Sequence, residues 1–160
     1  HWINIAKIAC KTAKTDFNKT VFVYTKTSIG VFESFISCWD QKFKTNVVRP
    51  ETYINQYIDE NWKPQLQTPP FPEYTSGHST ISASAATVLT YMFGDGFAFH
   101  DNSDSAYIGM TRDFTSFRAA ADEASISRFY GGIDYRPSLD TGLVCGAKVG
   151  ANVLKKLGLQ

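Results

Sequence analysis

Apolar positions recur along this chain mainly at three- and four-residue intervals, and alternating runs are scarce, so the pattern predicts a mostly helical protein. Residues 2–14 place Trp2, Ile5, Ala9 and Ala13 along one face. A second helix is expected from near Asp16 or Thr20 to Lys44. Its stripe reads Phe32, Phe35, Trp39 and then Lys42, with Ile29 and Ile36 beside it. Pro50 ends any continuation, and 51–60 reads as a short helix. Residues 62–75 hold four of the six prolines and read as an extended loop.

Ser76 is a natural N-cap for a helix over 77–93, and Gly94 a natural stop. Ile81, Ala85, Val88 and Met92 mark its buried stripe. Ser, Thr and Ala fill most other positions and allow close helix contact. Residues 95–112 read as a polar loop. Thr115 or Ser116 opens a further helix to about Tyr130, with Phe117, Ala121 and Ala124 inward, and Gly131-Gly132 breaks it. Pro137 suits the first turn of a last helix ending at Gly158. Gly142, Gly146 and Gly150 recur there every fourth residue, so one side should pack tightly on a neighbour. The expected fold is a single all-α domain over 1–160.

Composition narrows the function classes. With 43% hydrophobic and 14% aromatic residues the chain is globular rather than disordered. A net charge of +1 gives no general reason to expect nucleic acid or an anionic membrane as partner, so any anion site must be built locally. No apolar run approaches a membrane span. Cys10, Cys38 and Cys145 are odd in number and widely spaced, which indicates neither a zinc knuckle nor a disulfide framework. No divalent-metal cluster is visible. His100, just before Asp101 and Asp104, reads as a solvated loop histidine. The chain opens at His1 inside a helical pattern and reads as part of a longer protein.

Three basic-type residues fall where the stripes call for apolar ones. Extending 81, 85, 88, 92 backwards by three lands on His78. Extending 117, 121, 124 by four lands on Arg128, and 32, 35, 39 by three lands on Lys42. Buried cations are costly unless paired. Each side chain could snorkel from its helix end to water. Alternatively all three converge on one bound anion, with Arg49 joining them and the start of the 77–93 helix adding N–H groups.

The same residues resemble a known set. Lys42, six residues, then Arg49-Pro50; Ser76-Gly77-His78; and Ser127-Arg128, five residues, then position 134, are similar to the three signatures of one superfamily. It comprises the vanadium-dependent haloperoxidases and the type 2 phosphatidic acid phosphatases. FISCWDQKFKTNVVRP, TPPFPEYTSGHS and SRFYGGIDYRP resemble its soluble haloperoxidase-like branch, and the likeness covers nearly the whole chain. The resemblance implies a helical bundle of the haloperoxidase/acid phosphatase type, of which this chain is the C-terminal part. It implies one oxyanion pocket for vanadate, or for phosphate in its place. Lys42, Arg49 and Arg128 would bind equatorial oxygens, Ser76 would add its hydroxyl and Gly77 its N–H, and His78 would be the acid/base. The substrate would be a small anion, either a phosphoester or halide with peroxide, and the location periplasmic or secreted. An isolated piece would need its absent helices or another subunit.

The departure lies at position 134. The resemblance implies a histidine there, the nucleophile of the phosphatases and the vanadium ligand of the haloperoxidases; this chain has Asp134. The acid implied four positions later is Ser138, and Thr75 stands where a proline usually precedes the second signature. An anion then faces an anion. At ~4 Å and an effective dielectric near 20, like charges repel by roughly 4 kcal/mol. Arg136 is a candidate partner for Asp134. Three readings stand: a phosphate- or vanadate-binding protein with weakened chemistry, an active enzyme using Asp134 in a modified way, or a non-catalytic scaffold or partner-binding module that keeps the pocket only as structure. Trp39, Trp62, Phe71 and Tyr74 are core aromatics or the walls of a halide or substrate pocket.

Overall fold

The structure is a computed structural model and describes residues 1–158. Its helices are α1 (Trp2–Thr12), α2 (Phe17–Thr45), α3 (Pro50–Tyr57) and α4 (Gly77–Phe93), then a short α5 (Ser105–Ile108), α6 (Phe117–Tyr130) and α7 (Arg136–Lys156). Local chemistry explains the ends. The Asp16 carboxylate accepts the Lys19 N–H at 2.7 Å to open α2, and Asn46 closes it in the left-handed region. Ser116 caps α6 by accepting the Ala119 N–H at 3.1 Å. Pro50 and Pro137 sit in the first turns of α3 and α7, where a missing N–H costs nothing.

The all-α expectation holds, with one correction. Residues 95–112 are not a plain loop. Phe99–Asp101 (β1) pairs antiparallel with Arg112–Phe114 (β2), and α5 lies in the connection. Phe99 packs on Phe114 and stacks on Phe117, which ties this ribbon to the core. Three-residue strands are too short to show alternation.

Helix α4 is the centre, packed against α7, α2 and α6. The three glycines of α7 lie on it. A Cβ at Gly146 would come within 2.0 Å of the Thr80 carbonyl oxygen, and one at Gly142 within 2.7 Å of Ser79 Cβ. On the other side Gly30 of α2 donates no bulk, and the Ser84 hydroxyl bonds the Gly30 carbonyl at 2.8 Å. Helix α1 docks through Trp2, whose indole N–H bonds Ser82 Oγ at 2.9 Å.

The expected stripe of α2 is also corrected. Val23, Thr27, Gly30, Ser34, Cys38 and Lys42 are buried, whereas Phe32, Phe35 and Ile36 are exposed. The helix is apolar on two faces, so periodicity alone points to the wrong one; the small residues face α4. Ala13 of the first stripe is exposed as well. Among the described residues no helix is long and apolar enough to cross a membrane.

Candidate anion-binding site

The three signature segments meet at one end of α4. Helix α2 brings Lys42 in its last turn. Arg49 is the N-cap of α3, Gly77 and His78 open α4, Arg128 ends α6, and Asp134 lies in the turn between α6 and α7. Lys42, Arg49, Gly77, His78, Arg128 and Asp134 all line one cleft of about 890 Å³, together with Trp39 and Phe71. Ser76 is fully buried and does not line it. Its hydroxyl instead caps α4, accepting the Ser79 N–H at 3.5 Å.

Lys42 is fully buried. Its ammonium donates to the Glu73 carbonyl at 2.7 Å and the Pro72 carbonyl at 3.0 Å, and lies over the Trp39 and Phe71 rings. Burial pushes its pKa below the usual lysine range, and the Arg49 charge adds to that. Arg49 spreads its donors over the proline loop and the 133–134 turn. Nε meets the Phe71 carbonyl at 3.0 Å, and one terminal nitrogen meets the Ile133 carbonyl at 2.8 Å. That nitrogen also pairs with Asp134 Oδ1 at 2.5 Å, with both side chains under one-tenth exposed.

The partner expected for Asp134 is thereby corrected. Arg136 is exposed and pairs along its own helix with Asp140 at 3.3 Å. Arg49 takes Asp134 because both are withdrawn from water, where two charges must neutralise each other.

Arg128 and His78 hold the open part of the cleft. The Arg128 Nε donates to its neighbour Ser127 Oγ at 3.0 Å, and among the described residues Arg128 forms no ion pair. Its pKa is lowered by burial, with Asp134 opposing. His78 does not face inward, as the stripe implies, but keeps over a third of its surface open to the cleft. Burial still lowers its pKa, and the Arg128 charge lowers it further against the opposing pull of Asp134, which favours the neutral imidazole.

A further residue escaped the sequence reading. Glu73 is almost fully buried in the proline loop, and its carboxyl accepts the Tyr135 N–H at 3.0 Å. Burial raises its pKa, against the pull of that N–H and of the nearby Ser138 hydroxyl, which does not itself reach hydrogen-bond geometry. No periodicity runs through so proline-rich a loop, so nothing in the pattern marks position 73 as interior. Of the four aromatics singled out, Trp39 and Phe71 wall the cleft, with ring centroids 5.1 Å apart. Trp62 and Tyr74 are not among its lining residues; Trp62 packs on Gly132 instead. His100 pairs with Asp113 on the exposed ribbon. No group of three metal-ligating side chains occurs among the described residues.

The donor set therefore suits a tetrahedral oxyanion in part. Cations and the start of α4 surround the cleft, but a carboxylate stands at position 134 and occupies Arg49. A carboxylate supplies no neutral nitrogen to bond a metal-centred anion, so that position does not fit vanadate as a direct ligand.

Residues 55–158 match the family model described as the VCPO second helical-bundle domain. No curated protein matches the sequence. Among solved structures, the chain is similar to one described as the first bacterial vanadium-dependent iodoperoxidase, with 54% identity and a TM-score of 0.96 over 98% of this chain and 38% of that one. A holo-type bacterial vanadium-dependent chloroperoxidase shares the fold at 16% identity and a TM-score of 0.80, over 99% of this chain and 42% of that one. An apo-type bacterial vanadium-dependent chloroperoxidase does so at 16% identity and 0.72, over 85% and 36%. The chain spans well under half the length of these proteins.

Proposed function

The chain belongs to the vanadium haloperoxidase-like superfamily, in the family of the VCPO second helical-bundle domain, and from that premise we propose that its cleft binds phosphate or vanadate without forming a bond to position 134. The observation that carries this reading is the buried Arg49–Asp134 ion pair. An internal carboxylate holds a cation that an oxyanion would otherwise claim. The anion is left to Arg128, His78 and the first N–H groups of α4, which favour negative charge.

Peroxidase or phosphatase chemistry is correspondingly weak in this reading. Neutral His78 can still accept or pass a proton at the open side of the cleft. Titrating the full-length protein calorimetrically with phosphate and with vanadate tests the site. Weak, saturable binding lost in Arg128→Ala is expected. No binding of either anion overturns the reading.

A second reading, a helical scaffold, is favoured by a specific observation. The donors of Lys42 and Arg49 are largely spent on the carbonyls of Phe71, Pro72, Glu73 and Ile133. They hold the proline loop to the bundle whether or not an anion is bound. The apolar outer face of α2, with Phe32, Phe35, Ile36 and Phe43, supports a seat for further helices of a larger bundle.

A further inference from the structure

Three buried acids occur among the described residues: Glu73, Asp101 and Asp134. Asp101 has His1 and Asp134 has Arg49, whereas Glu73 forms no ion pair among the described residues. Its role is instead to join segments. The Glu73 N–H donates to the Val47 carbonyl at 2.9 Å, and the Glu73 carbonyl accepts Lys42 Nζ at 2.7 Å. The side chain then crosses to the third signature and accepts the Tyr135 N–H at 3.0 Å.

Tyr135 directly follows Asp134 and is the N-cap of α7. Its N–H has no carbonyl of its own helix to bond. The turn is thus pinned twice: Arg49 grips the Ile133 carbonyl and the Asp134 carboxylate, and Glu73 grips the next N–H. Without the second grip, the segment could swing about the first.

We propose that Glu73 is a positioning residue of the site: its carboxyl fixes the 133–135 segment and so sets the side chain of position 134 on Arg49. Burial favours the protonated carboxyl, which still offers its carbonyl oxygen to Tyr135. A neutral amide should therefore serve in its place. The effect on anion affinity rests on the anion-site reading above; the clamp itself does not.

The test uses the full-length protein with Glu73→Gln, which keeps an acceptor, and Glu73→Met, which fills the space without one. Amide hydrogen exchange at Tyr135 should speed up roughly tenfold in Glu73→Met, the worth of one buried hydrogen bond, and stay near the parent in Glu73→Gln. The Arg49 Nε–H resonance should shift in the Met variant only. Binding of inorganic phosphate should tighten by roughly threefold in Glu73→Met, because a loosened Asp134 competes less well for Arg49. A merely structural role would weaken phosphate binding or leave it unmoved. Unchanged Tyr135 protection or an unshifted Arg49 signal in Glu73→Met overturns the proposal. A parent that binds no phosphate overturns the anion reading, and the two resonance readouts still decide the clamp.

Discussion

Arg49 and Asp134, eighty-five residues apart in sequence, form a buried ion pair at the floor of the cleft. The pair puts an internal carboxylate in competition with any external anion for one guanidinium.

Asp134→Asn tests that competition through stability. Removing one member of a buried pair leaves the other uncompensated, and about 3 kcal/mol should be lost in phosphate-free buffer. Phosphate then has a free Arg49 to bind, so the rise in Tm with added phosphate should exceed that of the parent. Equal rises in scanning calorimetry would show that the two anions do not compete.

Gly146→Ala should reverse an ordinary rule. At an exposed helix position the change stabilises by up to about 1 kcal/mol. Here the new Cβ would lie 2.0 Å from the Thr80 carbonyl oxygen, which is backbone and cannot step aside. Denaturant unfolding should show a loss of about 3 kcal/mol, or no folded protein. A neutral result would mean that α7 does not lie this close to α4.

Lys42→Met probes the clamp on the proline loop. The side chain fits by length, but two buried carbonyls lose their donor. A loss of about 2 kcal/mol is expected, the gain from removing a buried charge offsetting part of the cost. Limited proteolysis within 62–75 should accelerate. An unaltered cleavage pattern would contradict the clamp.

Two groups tilt stability with pH in opposite directions. The His78 pKa is lowered by folding, so below its ordinary value near 6.5 the unfolded chain takes up a proton first and stability falls. Glu73 is raised by folding, so as pH climbs above its ordinary value of 4.5 the unfolded chain loses its proton first and stability falls. Unfolding midpoints measured across these windows should flatten on the acid side of 6.5 in His78→Gln. They should flatten above 4.5 in Glu73→Gln. Identical profiles in parent and variants would remove both assignments.

The sequence made α6 legible because one apolar face opposes a polar one, and α4 legible through its Ser76 cap and Gly94 stop, although α4 is buried on nearly every side rather than along one stripe. The sequence misled on α2, where Phe32 and Phe35 form a second apolar face that stays exposed among the described residues. The signatures located Lys42, Arg49, Gly77, His78, Arg128 and Asp134, because their spacing needs no three-dimensional knowledge. What spacing could not supply was pairing. Arg136 stands two residues from Asp134, yet Arg49 holds it, since burial rather than proximity in sequence selects the partner. Glu73 lay outside any periodic segment, and only the fold carries its carboxyl to Tyr135.

In the proposed function, Asp134 weakens oxyanion binding by occupying Arg49 and by offering no neutral nitrogen. Vanadate titration of the full-length parent beside Asp134→His, followed by vanadium NMR of the bound fraction, tests it most directly. Binding at least about tenfold tighter is expected in the histidine variant, one bond's worth of free energy, with a new bound resonance. Equal or weaker binding in Asp134→His would contradict it.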